Sequence, residues 1–151
     1  MIKIINMNVE DVRFPTSKDL TGSDAIHTDP DYSATYVTIT TSDNNLKGYG
    51  LAFTLGKGND IVAECIKHFF PLFNGLTIDE IEKNIGKLWY DCADHSQLRW
   101  LGPEKGVVHM ALAAIFNALW DLIAKKNEKP LWQFVVESKP ETIMSWLTFK
   151  N

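Results

Sequence analysis

The stretch VVHMALAAIFNALWDLIAKK, residues 107–126, is apolar on nearly every side. At helical spacing Val107, Ala111, Ala114, Ala118 and Leu122 fall on one face, while His109, Ala113, Phe116 and Trp120 fall on another. A helix of this kind must be covered from several directions, so the remainder of the chain has to wrap around it. Ala111, Ala114 and Ala118 are small enough to let a neighbouring backbone come close, which makes this helix the expected central packing element. Lys125, Lys126 and Lys129 stand where positive charge complements a helix C-terminus. The apolar run from Met110 to Trp120 is broken by polar residues and reads as too short for a membrane span.

Towards the N-terminus the period changes from helical to alternating. Ile2 to Phe14 reads as a strand that feeds a long polar loop beginning FPTSKDLTGSD, and Ser33 to Thr41 reads as a second strand. Ser42-Asp43-Asn44-Asn45 is a hairpin turn signal leading into a third strand, Lys47 to Thr54, where Gly48 and Gly50 suggest a close backbone approach or a bulge. From Asn59 a helix carries Val62, Cys65 or Ile66, Phe69 and Phe73 on one side, with Pro71 expected to limit or kink it. Thr77-Ile78-Asp79-Glu80 is a capping-box pattern opening a helix with Ile81, Ile85, Leu88 and Trp89 on one face, ending near Cys92. Pro103 is expected at the start of the central helix. Beyond that helix, Pro130 precedes a short helical turn LWQFVV, and Thr142 to Phe149 reads as a strand with no nearby partner. The expected fold class is α+β, a small antiparallel sheet followed by a helical bundle.

Composition narrows the function classes. With 151 residues, 19 acidic against 15 basic side chains and a net charge of -4, the chain suits a soluble globular domain and not a nucleic-acid surface. No basic stripe interleaved with aromatics occurs. Cys65 and Cys92 form no CxxC and read as reduced thiols in a cytoplasmic setting. Met1-Ile2-Lys3 begins no signal segment.

Chemistry concentrates in two connections. His27-Thr28-Asp29 offers an imidazole, a hydroxyl and a carboxylate suited to a polyhydroxylated or anionic small molecule, although the same residues also serve as turn caps beside an exposed histidine. Leu55-Gly56-Lys57-Gly58 joins a strand to a helix, and Lys57 with the helix-start N–H groups suits an anion, or the segment is simply a turn. Asp91, Asp94 and His95 are close enough in sequence to touch one metal ion, but read better as a surface helix end. His109 reads as a satisfied core histidine, and Glu104 as a group stabilising a helix N-terminus. Arg99-Trp100 either walls a pocket or packs guanidinium on indole beside a helix cap. No acid-base pair, nucleophilic triad or complete metal site is present in the sequence.

DVRFPTS at Asp11 to Ser17, HTDPDYSATYV at His27 to Val37, TLGKG at Thr54 to Gly58, QLRWLGPEKGVVH at Gln97 to His109 and NALWDLIAKKNEKPLWQ at Asn117 to Gln133 together carry a resemblance. The chain resembles the enolase superfamily in its mandelate-racemase-like branch, and within it the fuconate dehydratase group. The resemblance implies that residues 1–130 are an enolase-like N-terminal capping domain, and that 131–151 are a linker and the first strand, Ile143 to Phe149, of a (β/α) TIM barrel otherwise absent from this chain. It implies a Mg2+-dependent acid-sugar dehydratase that converts L-fuconate to 2-keto-3-deoxy-L-fuconate. The metal ligands and catalytic residues would belong to the barrel, so none is assigned here. His27, Thr28 and Asp29 match a first specificity loop, and Leu55, Gly56 and Lys57 a second, giving His27, Thr28, Asp29 and Lys57 as expected substrate contacts. The partners implied are the acid sugar and the protein's own barrel, with no nucleic acid or membrane; galactonate or arabinonate stays open as substrate, as does homo-oligomer formation. A free-standing protein-interaction domain of the same fold is the alternative reading, and a compact stand-alone enzyme a third.

Overall fold

A computed structural model describes residues 1–102, 104 and 106–147. Three strands, β1 (Ile4–Arg13), β2 (Ser33–Thr41) and β3 (Lys47–Thr54), form an antiparallel sheet in the order β1-β2-β3. Five helices follow: α1 (Asn59–Phe73), α2 (Ile78–Ala93), α3 (Val107–Lys126), α4 (Leu131–Glu137) and α5 (Pro140–Trp146). Short 3-10 turns occupy Thr16–Lys18 and Arg99–Leu101. The expected small sheet followed by a helical bundle is what the chain forms, and no closed barrel occurs among the described residues.

Register explains why β3 holds glycines. Met7, Ile39 and Gly48 stand opposite one another across the sheet, as do Val9, Val37 and Gly50, so both glycines lie on the face that carries Met7, Val37 and Ile39 into the core. A Cβ on Gly48 would overlap the carbonyl oxygen of Ala118, and one on Gly50 that of Ala114. The close approach suggested by the glycines and the one suggested by the alanines of α3 are therefore a single contact. It is reinforced at the sheet edge, where the Tyr49 N–H donates to Asp121 Oδ2 at 2.9 Å and Lys125 Nζ donates to the Lys47 carbonyl at 3.0 Å. Backbone groups that would otherwise template another strand are thereby occupied.

α1 buries Val62, Ile66, Phe69 and Phe73 along one stripe, together with Cys65. It runs on through Pro71, which removes one i→i−4 hydrogen bond from the last turn, and ends two residues later at Phe73. α2 opens with a complete capping box: Thr77 Oγ1 accepts from the Glu80 N–H at 3.2 Å, and Glu80 Oε2 accepts from the Thr77 N–H at 2.8 Å. Burial of Val108, Ala111, Leu112, Ile115, Leu119, Leu122 and Ile123 confirms α3 as the centre of the core. By length and composition α3 would pass for a membrane span, longer than the broken apolar run suggests, but the sheet, α1 and α2 cover it. It begins at Val107 with Gly106 as its cap; the expected start at Pro103 lies outside the described residues.

The strand expected from Thr142 is a helix. Pro140 occupies the first helical position, where its fixed φ suits the turn and its missing N–H is not needed, and Glu141 adds negative charge to that turn. Ile143 and Trp146, three residues apart, pack against the core from one face. Ser145 Oγ donates to the Thr142 carbonyl at 2.6 Å. Trp146 stands edge-on to Trp120 at 5.0 Å and stacks on Phe134 at 5.5 Å, leaving it 9% exposed. The remainder of the expected strand, Thr148 and Phe149, lies outside the described residues.

Candidate functional site

Both connections singled out in the sequence leave the same end of the sheet, and the structure joins them. Residues 14–32 leave β1 and return to β2; residues 55–58 leave β3 and enter α1. The Asp31 N–H donates to the Leu55 carbonyl at 3.3 Å, and the Ser17 N–H donates to Asp31 Oδ1 at 3.1 Å. That hydrogen bonding from Ser17 holds the Asp31 carboxyl below the usual carboxylate range. Gly56, at φ 110°, packs so closely on Asp31 that an added Cβ would crowd it. Tyr32 meets Phe53 edge-on at 5.4 Å. Asp31 is thus the tie between the two loops.

Beneath them lies a satisfied polar cluster. Asn59, the first residue of α1, is fully buried. Its Oδ1 accepts from Thr35 Oγ1 at 2.6 Å and Thr54 Oγ1 at 2.7 Å, while its Nδ2 donates to Asp11 Oδ1 at 2.5 Å and the Ala34 carbonyl at 3.3 Å. Both lone pairs and both protons of the amide are used. Arg13 grips Asp11 through Nε and Nη2 and also reaches Asp60 at 3.3 Å; that guanidinium holds the Asp11 carboxyl below its ordinary value. One side chain therefore links all three strands to the start of α1.

Of the four expected substrate contacts, His27, Thr28 and Asp29 all lie exposed on the long loop and Lys57 lies exposed on the short one. Thr28 Oγ1 donates to Asp29 Oδ1 at 3.3 Å. His27 is held by a residue that sequence reasoning missed. Asp24 Oδ1 accepts from the N–H groups of Ile26 and His27 at 2.8 and 2.7 Å, and Asp24 Oδ2 lies 3.2 Å from His27 Nδ1. These donors, the His27 N–H first, bring the Asp24 carboxyl down to about 2. An Asx-type spacing, Asp followed by His three residues on, is the signal that could have found it.

The other sequence candidates gather elsewhere, around a groove of about 880 Å³ between α2, α3 and α5. Trp89, Phe116, Trp120 and Trp146 supply its apolar wall; Arg99, paired with Asp94 at 2.7 Å, and Glu104 supply its polar rim. His109 also lines it, edge-on to Trp89 at 5.6 Å, and contrary to expectation is not satisfied: its buried Nδ1 has no partner among the described residues. Glu104 precedes α3 and is not in its first turn. Trp100 does not wall the groove; it is 80% exposed and its Nε1 donates to the Gln97 carbonyl. Leu147, which also lines the groove, is exposed, as are Trp132 and Val136 of α4 and Met144 of α5, whereas Trp146 itself is covered.

The metal alternative fails on its donors. Asp91 pairs with Lys87, Asp94 with Arg99, and His95 Nδ1 accepts from the Gln97 N–H, leaving these residues as a surface helix end. Among the described residues no three His, Cys, Asp or Glu side chains converge, so they do not fit a Mg2+ site. Both cysteines are buried free thiols, and burial pushes Cys92 up to about 12, far from any reactive role.

Comparison with known proteins places this arrangement. A family described as "Mandelate racemase / muconate lactonizing enzyme, N-terminal domain" matches residues 17–135. The chain is 47% identical over 149 residues to mitochondrial enolase superfamily member 1 of Xenopus laevis, covering 98% of this chain and 34% of that protein. It is 44% identical over 149 residues to L-galactonate dehydratase of Hypocrea jecorina, covering 99% and 33%. The crystal structure of human mitochondrial enolase superfamily member 1 superposes with a TM-score of 0.93 at 43% identity, over 98% of this chain and 34% of that one. An L-talarate dehydratase from Polaromonas sp. JS666, complexed with Mg and L-glucarate, shares the fold at a TM-score of 0.63 and 20% identity, over 92% and 33%. The chain spans about a third of the length of these curated relatives. It belongs to the mandelate racemase and muconate lactonizing enzyme family of the enolase superfamily, and corresponds to that family's N-terminal domain.

Proposed function

We propose that this domain is the lid of an acid-sugar dehydratase, reading substrate hydroxyls with its two joined loops while the reacting groups come from a barrel domain. The observation that carries this reading is the tie through Asp31, which makes two separate loops one polar surface bearing His27, Thr28, Asp29 and Lys57. A lid of this kind excludes water and contributes specificity without touching the proton transfer. The name of the Hypocrea jecorina relative, L-galactonate dehydratase, supports an aldonate as substrate. The finer proposal is L-fuconate, losing its α-proton and then the β-hydroxyl as water to give 2-keto-3-deoxy-L-fuconate. Mg2+ in the barrel would stabilise negative charge developing on the substrate carboxylate. The groove with its apolar wall, and with a buried His109 Nδ1 that has no partner among the described residues, is the surface proposed to receive the rest of the longer protein.

The test compares the 151-residue chain with a longer protein that carries the barrel, each given L-fuconate and L-galactonate with Mg2+, and measures 2-keto-3-deoxy acid. Product is expected from the longer protein only. Turnover by the 151 residues alone would refute the lid reading, and none from the longer protein with any aldonate would refute the dehydratase reading.

A further inference from the structure

Asp24 grips His27 at two places, its backbone N–H and its ring, while the imidazole stays about half exposed (49%). An exposed histidine without such a partner exchanges freely between its two neutral tautomers. An ionised carboxylate can only accept, so a neutral imidazole facing Asp24 Oδ2 through Nδ1 must carry its proton there. Nε2, on the other side of the ring, is then left as an acceptor. We propose that Asp24 is a positioning residue that fixes the tautomer and orientation of His27, so that His27 Nε2 accepts a hydrogen bond from a hydroxyl of a polyhydroxylated substrate. This rests on the lid reading above. It adds to that reading a direction for the hydrogen bond, from substrate hydroxyl to imidazole, and a residue that enforces it without touching the substrate.

The carboxylate has two separable duties. Oδ1 closes the turn by accepting from Ile26 and His27, and Oδ2 orients the ring. Asp24→Asn keeps an oxygen for the turn and presents an NH2 group to Nδ1, which favours the opposite tautomer. A purely structural role predicts that this variant behaves like the parent; a positioning role predicts that the ring responds.

The first arm uses the 151-residue chain and long-range proton–nitrogen NMR of His27 at mildly alkaline pH. The parent should show Nδ1 protonated, and Asp24→Asn should move the proton to Nε2 while the Ile26 and His27 amide signals stay dispersed. The second arm uses the longer protein with L-galactonate as the probe. Asp24→Asn and His27→Gln should each raise KM by about five- to tenfold, the size of one hydrogen bond, with kcat nearly kept. The double variant should be no worse than His27→Gln alone. An unchanged tautomer in Asp24→Asn, additive effects in the double variant, or an unchanged KM in His27→Gln would each overturn the proposal. Absence of aldonate turnover in the parent longer protein would instead strike the underlying reading, and is seen before any variant is made.

Discussion

The loop end of the sheet and the groove between α2, α3 and α5 sit in one domain but are finished to different degrees. At the loop end the buried amide of Asn59 has every donor and acceptor used, and the carboxylates of Asp11, Asp24 and Asp31 all accept hydrogen bonds from neighbours. At the groove the aromatic walls are packed on the inside and open on the outside, and one buried imidazole nitrogen has no partner among the described residues. Polar groups complete their bonding locally, within a few residues or across adjacent strands. Apolar surface can be completed only by something large enough to cover it. The difference supports the proposal that the loop end meets a small, hydrated molecule and the groove meets protein.

The sharpest test of the packed side of the groove is Trp146→Ala. Trp146 bridges Trp120 and Phe134, and its removal would leave a cavity beside both. A loss of about 3 kcal/mol in urea unfolding is expected, towards the low end for large aromatics because its surroundings are partly open. Increased binding of a hydrophobic dye should accompany it. A loss below about 1 kcal/mol would mean that α5 is not an integral part of the domain's core.

Asn59→Ala tests the other side of the comparison and should cost somewhat less, about 2 kcal/mol, because it removes four buried or part-buried hydrogen bonds while Thr54 keeps Ser33 and Thr35 keeps the residue-59 carbonyl as partners. Its second signature is more diagnostic than its size. Since Asn59 ties Asp11, Ala34, Thr35 and Thr54 together, amide exchange should rise in residues 14–32 and 55–58 alike, while α3 stays protected. Faster exchange in one loop only would break the claim that the two form a single surface.

How far the sequence could be read follows the same division. Gly48 and Gly50 in a strand, and alanines at helical spacing in 107–126, each signalled a close approach, and the structure brings them into one contact because both signals are about steric room, which a residue's own size declares. The capping box at Thr77 and Glu80 was legible because its two partners are three residues apart. Asn59 was not, because its partners come from three strands and nothing local announces them. Thr142 to Trp146 misled because β-branched and aromatic residues there suit a strand, whereas Pro140 and the Ile143 to Trp146 spacing decide for a helix once Trp120 and Phe134 supply the surface to pack on. His27 was visible as chemistry, but the orientation of its ring was not, since that depends on Asp24 being folded back onto it.

The smallest expected effect is a response to acid confined to the loop end. Asp11, Asp24 and Asp31 have folded-state values below the ordinary 3.8, in each case because neighbouring donors favour the ionised form. A carboxylate lowered in this way contributes stability that is fully present above the unfolded value and is lost as pH falls through the folded one. For Asp24 that window runs from 3.8 down to about 2. Protonation there would remove the acceptor for Ile26 and His27, so their amide NMR signals should shift with a midpoint near 2, ahead of any change in the aromatic signals of Trp120 and Trp146. A midpoint near 3.8 would show that the carboxylate gains nothing from its backbone donors, and the loop would then be no better ordered than any exposed polar turn. Simultaneous loss of the tryptophan signals would show that the loop end and the groove do not respond as separate regions, because the protonation of one would then be unfolding both.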